Sequence, residues 1–436
     1  MRQVIVDILS TFKELKGYKI EEKHVVGYQL FFIKQDLDMN RAIETREFKV
    51  TVYKEYKIEG EILQGEASCL LLDNMTSEEI KAKIEEAEFI TSLSLCKPYS
   101  LIKKQAEKAS EKAVSFGGKS LKEASFQIAD CVFEADKYDH GYVNSAEVFV
   151  YFEENHFLNS LGNEFHYAKS YAQLDLVVTW KDNKDLEEIE LHRFYEFDSL
   201  KGDYITSVVN NLLIEAKNRS VAVNKMPDEK KVLVMLKDEN LKEFFRYFVY
   251  KTNVDKIYDR YSNYHIGKQL YSKEATGDKL SITLEGILPG SSHNALCDDD
   301  GVALKSLKII QNGEVKNLWG SSQKAQYLNT IINGKYENIV VEAGTCPSNL
   351  SGISYLEIVS LSDMDVDLLT GDFGSEIRFA YFHTKKGTII PITGGSIVGN
   401  MNDSLETLRL SNEICSLNNI KMPKFALLDH VRIFKK

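Results

Sequence analysis

Proline is scarce in this sequence, with six prolines beside 25 glycines in 436 residues. These two residue types stay far below the roughly 25–30% that marks low-complexity or fibrous chains. Their scarcity excludes a disordered scaffold and a collagen-like repeat. The length predicts two or three domains, since a typical domain has about 100–200 residues.

Long apolar runs are also missing. The longest, such as Leu174–Trp180 and Ile339–Val341, have the length of strands and fall well short of the about 20 residues that span a membrane. At the N-terminus, Met1–Leu9 carries Asp7 inside its apolar stretch and has no small-residue cleavage site. This pattern predicts a first helix rather than a signal peptide.

Basic residues are fewer than acidic ones: the chain has 54 Lys and Arg and 65 Asp and Glu, which gives a net charge of −11. No basic run is longer than a pair such as Lys103-Lys104 or Lys435-Lys436. A chain of this kind lacks the basic surface that holds phosphate backbones or anionic lipid. We therefore expect no direct contact with nucleic acid and none with a membrane.

The cysteines are few and unpaired in sequence. Six of them occur without any C-x-x-C spacing, at positions 69, 96, 131, 297, 346 and 415. In a chain of this length the pattern is typical of reduced thiols. It predicts a cytoplasmic location.

Helix signals concentrate in the first half and near residue 240. Thr76 with Glu79, and Ser120 with Glu123, are capping boxes that open two helices. Apolar stripes predict further helices from about Asp203 and from Asp238. Strands are predicted at Tyr28–Ile33, Phe48–Tyr53, Ala146–Glu153, Leu174–Trp180, Leu280–Leu284, Val302–Ile310, Asn338–Val341, Tyr355–Leu361, Ile377–His383 and Thr388–Ile392.

This distribution predicts an α+β fold. Residues 1–222 are expected to form an N-terminal region of two small sheet-plus-helix units, about 1–115 and 116–222, divided near Gly117-Gly118. Residues 223–436 are expected to form a β-rich C-terminal domain, mostly antiparallel and sandwich- or barrel-like. The polar stretch 218–230 is the predicted linker.

The histidines do not form a zinc-peptidase helix. Such a helix places two imidazoles four or five residues apart, with a glutamate after the first. Here the nearest pair is His156 and His166, ten apart, and none of the nine histidines is followed by Glu. The pair flanks Asn159–Gly162 and could bind a metal, although solvated hairpin histidines are the favoured interpretation.

Four other motifs carry little chemistry. Cys346 could be a nucleophile, but a turn cysteine without function is favoured. Ser291-Ser292-His293 indicates a loop, because adjacency in sequence is not triad geometry. Asp298–Asp300 resembles the start of a calcium loop without its later ligands, and an acidic turn is favoured. Neither 371–374 nor Gly394-Gly395 has the pattern of a phosphate loop.

One stretch resembles a known family. Asp367–Gly374, followed by Ile377–His383, Lys386-Gly387, Ile390–Ile392 and Ile397–Asn400, is similar to the C-terminal signature of the TldD/PmbA family, in which a "TGDFS" turn precedes a closing "IAGN". Met75–Ile80, Asn159–Gly162, and Asp299–Val302 with Asn312-Gly313 resemble further family segments in the same order. The first 70 or so residues match poorly.

The resemblance implies a particular kind of member. TldD-type chains carry an HExxxH helix and a late cysteine ligand and are zinc metallopeptidases, whereas PmbA (TldE)-type chains lack that motif and pair with TldD. Here Val232–Phe245, which has no histidine, takes the place of the zinc helix, and Cys415 alone cannot complete a site. The chain therefore resembles the PmbA/TldE partner, and no catalytic, cofactor-binding or metal-binding residue carries over.

The implied function is that of a non-catalytic subunit, inactive alone, of a cytoplasmic peptidase acting on unfolded polypeptides or peptides. Zinc is expected only in a TldD-type HExxxH partner, and a homodimer in isolation stays open. The alternative is a stand-alone peptide-binding or scaffold protein outside any peptidase. The resemblance also places Gly371–Phe373 in a tight turn at a strand end, where Asp372 is expected to bond its own turn.

Overall fold

A computed structural model of the chain describes residues 1–105, 116–182, 188–224 and 232–434. The N-terminal region is built from long antiparallel strands with helices on one face. Its elements are α1 (Arg2–Ser10), β1 (Leu15–Ile33), β2 (Asp36–Ile58), β3 (Glu61–Leu72), α2 (Ser77–Ile90), β4 (Leu95–Cys96), α3 (Leu121–Glu134), β5 (Gly141–Asn159), β6 (Glu164–Trp180), β7 (Ile189–Phe197) and α4 (Gly202–Ser220).

The two predicted N-terminal units share one sheet. Its seven strands run in the order β4-β3-β2-β1-β5-β6-β7. Each unit contributes a helix, three strands and a second helix in the same succession. The units join where β1 pairs antiparallel with β5, in a register that runs from Lys19 opposite Asn159 to Ile33 opposite Ser145.

Both capping boxes form as predicted, with Thr76 and Ser120 each accepting from the third helical N–H. The apolar stripes that follow them are buried. Ile80 and Ile84 of α2 pack over Phe48 of β2, and Ile128 of α3 packs in a second cluster with α4 and β5. Full burial of one such side chain contributes about 1.5–3 kcal/mol, so amphipathic spacing is enough to hold these helices on the sheet.

The C-terminal domain is rich in strands and encloses one long helix. Its elements are β8 (Leu233–Leu236), α5 (Asp238–Lys251), α6 (Val254–Tyr258), β9 (Ile282–Glu285), β10 (Leu307–Gln311), β11 (Glu314–Val315), α7 (Ser322–Tyr327), β12 (Asn338–Val341), β13 (Tyr355–Leu361), β14 (Asp365–Val366), β15 (Asp372–His383), β16 (Ile389–Ile392), β17 (Ser396–Asn400), α8 (Met401–Leu405), β18 (Arg409–Leu410), β19 (Ile414–Leu417), β20 (Ile420–Pro423), β21 (Ala426–Leu428) and β22 (Arg432–Phe434).

Two sheets and α5 share a single core. One sheet has the strand order β11-β10-β9-β12-β20-β19, and the other has β18-β21-β8-β13-β15-β17-β22 with β14 and β16 added on β15. Most pairs are antiparallel, and β12–β20 and β13–β8 are parallel. Residues of both sheets bury against Phe244, Phe245 and Phe248 of α5. The α+β prediction, with a β-rich and mostly antiparallel C-terminal domain, is confirmed.

Three local predictions need correction or comment. The strand predicted at Val302–Ile310 begins only at Leu307, because the amide of Val302 bonds the Asp298 carboxylate rather than a neighbouring strand. Helices also occur beyond the region near residue 240 in which the sequence signals concentrate, since α7 and α8 follow. The predicted linker 218–230 starts inside α4, and its residues 225–230 lie outside the described ones. None of the described helices has the length and hydropathy needed to cross a membrane.

Candidate functional site

Helix α5 occupies the position where the resemblance would place a zinc-binding helix. Its inward-facing side chains are Leu241, Phe244, Phe245, Tyr247, Phe248 and Lys251. Zinc is held by imidazole, thiolate or carboxylate ligands. Of the carboxylates on α5, Glu243 instead lies 2.9 Å from Arg246. The buried face of α5 therefore does not fit a zinc ion.

Cys415 does not complete such a site either. It lies on β19, its thiol is half-buried, and burial together with the charge of Asp238 raises its pKa to about 11. Asp238 begins α5 and Lys251 ends it, so the two ends are about 20 Å apart at 1.5 Å per residue. Cys415 is thus near the start of the helix, far from the cavity at its other end.

That cavity, of about 180 Å³, lies beside the last turn of α5. It combines two lysines, two tyrosine rings and several amides. Its wall includes Tyr247, Lys251, Tyr264, Lys268, Leu369 and Asn402. A small cavity with cations, a hydroxyl and amides suits a small polar ligand, since polar groups fix orientation in such sites.

Lys251 is 5% exposed, and no carboxylate of the described residues lies within ion-pair distance of it. Its ammonium donates to the main-chain oxygens of Tyr261 at 3.0 Å and Leu368 at 2.9 Å. Burial, and next the nearby charge of Lys268, lower the pKa of Lys251. A buried cation without a directly paired counter-charge is costly, and among the described residues Asp367 acts on Lys251 only from a distance.

The turn that carries the family resemblance forms the edge of this cavity. Gly371 has φ +83°, and its amide donates to the main-chain oxygen of Asp367 at 2.8 Å. A Cβ at Gly371 would lie 2.7 Å from Asn402 Nδ2 and 2.8 Å from the Tyr247 hydroxyl. The turn lies at a strand end as predicted, but it ends at Gly371, because Asp372 and Phe373 are already the first residues of β15. Only a residue without a side chain fits there.

The prediction for Asp372 is wrong in detail. The carboxylate that accepts from the turn's own backbone is Asp367, which bonds the amides of Leu369 and Thr370. Asp372 instead accepts from Asn400 Nδ2 at 2.8 Å, and the same amide group also donates to the Thr370 oxygen. The two parts of the resembling stretch, around 370 and around 400, thus meet beside the cavity.

The acidic turn Asp298–Asp300 joins the two halves of the chain. Its carboxylates approach one another closely enough to suggest a metal. They are already engaged, however, because Asp300 lies 3.2 Å from Lys19 Nζ of β1 and accepts from the Ser322 amide. Asp299 lies 2.6 Å from Lys335. The acidic-turn interpretation agrees with these contacts, and the turn fastens the N-terminal sheet to the C-terminal domain.

His156 and His166 are cross-strand partners on β5 and β6, with ring centroids 5.6 Å apart. Each bonds a carboxylate, His156 with Glu164 at 2.8 Å and His166 with Glu154 at 2.9 Å. Burial and then the charge of Arg2 lower the pKa of His156, which is 6% exposed. The solvated-hairpin interpretation holds for His166 and is wrong for His156, whose side chain is buried although both rings lie on the same face of the sheet.

The other candidates are not brought together as sites. Cys346 is buried, and this burial raises its pKa, which is the opposite of an activated thiol. Ser291 bonds the side chain of Asn338 at 2.6 Å, whereas His293 bonds Glu196 at 2.7 Å. Gly394 packs against Asn224. The side chains of Ser291 and His293 thus bond different elements, β12 and β7, rather than each other.

Sequence reasoning missed Lys251 and its cavity. The available signal was a charged residue on the buried stripe of α5, four positions after Tyr247 and three after Phe248. A lysine on an apolar face usually extends its amine to solvent, so the pattern alone did not single it out. Tyr264 and Lys268 follow in an irregular segment whose path could not be anticipated.

Comparison with known proteins agrees with the fold. The model of the PmbA/TldA metallopeptidase C-terminal domain matches residues 229–434. TldE from Thermococcus kodakarensis superposes with a TM-score of 0.81 at 16% identity, covering 100% of this chain and 99% of that one. A proposed modulator of DNA gyrase from Thermotoga maritima superposes with a TM-score of 0.78 at 14% identity, covering 99% of this chain and 100% of that one.

A third solved structure and one sequence relative extend the comparison. A proposed modulator of DNA gyrase from Bacteroides thetaiotaomicron gives a TM-score of 0.74 at 15% identity, covering 100% of this chain and 98% of that one. An uncharacterized protein of Methanocaldococcus jannaschii is 25% identical over 149 residues, 31% of this chain and 34% of that protein. The sequence match thus spans about a third of that relative.

The domain match and the shared whole-chain fold agree with the motifs around residues 370 and 400. Residues 229–434 therefore belong to the PmbA/TldA metallopeptidase C-terminal domain family, and the whole chain has the fold of TldE from Thermococcus kodakarensis.

Proposed function

We propose that this chain is the non-catalytic, PmbA/TldE-type subunit of a cytoplasmic TldD/TldE-type metallopeptidase. In this role it binds unfolded polypeptide or peptide and presents it to the zinc of a TldD-type HExxxH partner. The chain contributes no ligand to that zinc and no general base. Any effect connected with DNA gyrase would be indirect, because a chain with a net charge of −11 has little affinity for a phosphate backbone.

One observation carries the proposal: the buried face of α5 has phenylalanines, a tyrosine and a lysine in a domain of a metallopeptidase family. A zinc peptidase needs a metal-activated water and a base at that place. A subunit with the family's fold but without those groups makes chemical sense beside one that has them.

The C-terminal domain also offers a means of holding extended chain. β19 lies at the edge of its sheet and pairs there with β20 alone. An extended peptide can add to such an edge through main-chain hydrogen bonds, which gives affinity with little sequence preference. This mode suits a subunit that receives many different unfolded substrates.

The test is reconstitution with a TldD-type paralogue from the same organism. The two chains are co-expressed, purified through a tag on this chain, and assayed for casein hydrolysis with and without a chelator. We expect a stable complex with chelator-sensitive activity and no hydrolysis by this chain alone. The paralogue alone is the control for activity that needs no partner.

Chelator-sensitive hydrolysis by the homogeneous isolated chain would overturn the proposal. Peptide binding by this chain without any co-purifying paralogue would instead favour the alternative, a stand-alone peptide-binding or scaffold protein. A homodimer of the isolated chain would be seen in the same gel-filtration runs.

A further inference from the structure

We propose that the cavity at the end of α5 binds a carboxylate group, and that its ligand is the C-terminal carboxylate of a peptide. The identification of the ligand as a peptide rests on the proposed function. The presence of an anion site rests on the geometry of the cavity alone.

The first argument is the charge within the cavity. Lys251 and Lys268 both line it, and neither has a carboxylate within ion-pair distance among the described residues. Lys268 donates to the Asn263 side chain at 2.7 Å and lies 4.7 Å from the Tyr264 ring centre. Two neighbouring cations without a counter-ion repel each other, so an anion between them would be strongly stabilised.

The second argument is the set of donors. An ammonium group has three N–H donors, and the described contacts of Lys251 use two of them, on Tyr261 and Leu368. The hydroxyl of Tyr247 and the amide of Asn402 lie in the same wall, 3.3 Å from each other. The Asn402 amide already donates to Tyr247 and to the main-chain oxygen of Thr370. The third N–H of Lys251, the ammonium of Lys268 and the hydroxyl of Tyr247 can donate to the two oxygens of a carboxylate, and the charge-assisted bonds of the lysines are the strong ones.

The third argument distinguishes a carboxylate from a more highly charged anion. Among the described residues, Asp367 is the carboxylate whose charge acts on Lys251, and it is itself bonded to turn amides. Two cations offset by one anion leave a single positive charge, which matches a monoanion better than phosphate. Leu270 and Leu369 at the wall supply apolar contact for the side chain of a terminal residue.

The experiment measures peptide affinity for the full chain by calorimetry. The probes are acetyl-Ala-Ala-Leu with a free carboxylate, the same peptide as its amide, sodium acetate, and inorganic phosphate. We expect the free acid to bind at least about tenfold more tightly than the amide, which is the loss of one charge-assisted contact. Phosphate should bind more weakly than the peptide acid.

The variants separate the site from general effects of charge. Lys251→Met and Lys268→Met should each weaken binding of the free acid by about tenfold or more. Lys385→Met, in the exposed turn after β15, should leave the affinity unchanged. Because Lys268 is only half-buried, its substitution keeps the test open even if Lys251→Met disturbs folding.

Several outcomes would overturn the inference. These are equal affinity of the acid and the amide, unchanged affinity in both lysine variants, absence of binding by every probe, and phosphate binding tighter than the peptide acid. Co-purification with the TldD-type paralogue is scored separately with the same variants. If the complex forms while the peptide acid does not bind, the proposal of a carboxylate site is wrong and the proposed function is still supported.

Discussion

The hydroxyl of Tyr247 lies 2.8 Å from the point where a Cβ on Gly371 would stand. Helix α5 and the 367–371 turn can therefore pack this closely only because Gly371 has no side chain. Gly371 also has φ +83°. Two separate constraints, backbone conformation and close contact, therefore act on one residue at the edge of the cavity.

Gly371→Ala should destabilise the protein for both reasons. The left-handed backbone costs a side-chain-bearing residue about 1–2 kcal/mol, and the contact with Tyr247 adds about 1–3 kcal/mol. Gly387→Ala is the matched control, because Gly387 has φ +84° with nothing within 4 Å of its Cβ position. Denaturant unfolding of the two variants should differ, and equal losses would show that the contact with Tyr247 carries no energy.

Asp300→Asn should weaken the attachment between the N-terminal sheet and the C-terminal domain. Lys19, whose side chain is 8% exposed, would lose its nearer carboxylate partner, at 3.2 Å, and keep only Glu21 at 3.9 Å. Breaking a buried pair costs about 3–5 kcal/mol. Asp299→Asn is the control, since Lys19 bonds the main-chain oxygen of Asp299 and would keep that contact. Unfolding free energies at neutral pH should fall for the first variant and change little for the second.

The same pair predicts an acid dependence. Burial opposes ionisation of Asp300, but Lys19 and Lys335 outweigh it and lower its pKa to about 2. A depressed carboxyl pKa stabilises the folded state above the ordinary pKa near 4, and the contribution is lost as pH falls toward 2. The difference in unfolding free energy between the native protein and Asp300→Asn should therefore shrink between pH 4 and pH 2. A difference in unfolding free energy that stays constant over this pH range would contradict the prediction.

Lys251 predicts a second pH dependence, in the alkaline range. Its pKa is lowered in the folded protein, so the unfolded chain binds more protons at this group and its effect on stability becomes more favourable as pH rises. The unfolding free energy of the native protein, measured against Lys251→Met, should increase from pH 7 toward pH 10. The trend should be absent from Lys385→Met, which removes an exposed cation. A trend shared by both variants would trace to other groups.

Zinc content tests the assignment of α5 directly. The purified chain should contain far less than one zinc per molecule, and Cys415→Ala should leave both that content and the chelator-sensitive activity of the reconstituted complex unchanged. The reason is that the described ligand-type side chains near α5, including Cys415, do not converge on one point. Metal analysis near one zinc per chain, lost on changing His156 or His166, would point to a site on the N-terminal sheet.

Local features of the fold were predictable because neighbours in sequence determine them. The Thr76–Glu79 and Ser120–Glu123 capping boxes form within one helical turn. Asn312-Gly313 forms the two-residue turn between β10 and β11, with φ of +48° and +78°. In each case the decisive contacts span a few residues, and side-chain chemistry alone is sufficient.

Features that depend on distant partners were not predictable. The pairing of β1 with β5 merges two units into one sheet across more than a hundred residues of chain, and alternation along a strand does not reveal its neighbour. Lys251 forms part of a cavity only because the fold brings Lys268 and Asn402, which are distant in sequence, to the same place. Asp367 was overlooked in favour of Asp372 because the residue that bonds the turn depends on where β15 begins.

The pairing of β1 with β5 has a consequence for the growing polypeptide on the ribosome. β1 leaves the ribosome long before its partner is made, and at about 5–20 residues per second the delay is on the order of ten seconds. During that time one edge of β1 is open to other nascent chains. This edge carries the charged residues Lys19, Glu21, Glu22 and Lys23. Charged side chains on an unpaired strand disfavour pairing with strands of other polypeptide chains. Lys19, which later joins the N-terminal sheet to the C-terminal domain, thus also helps to protect the protein before it is complete.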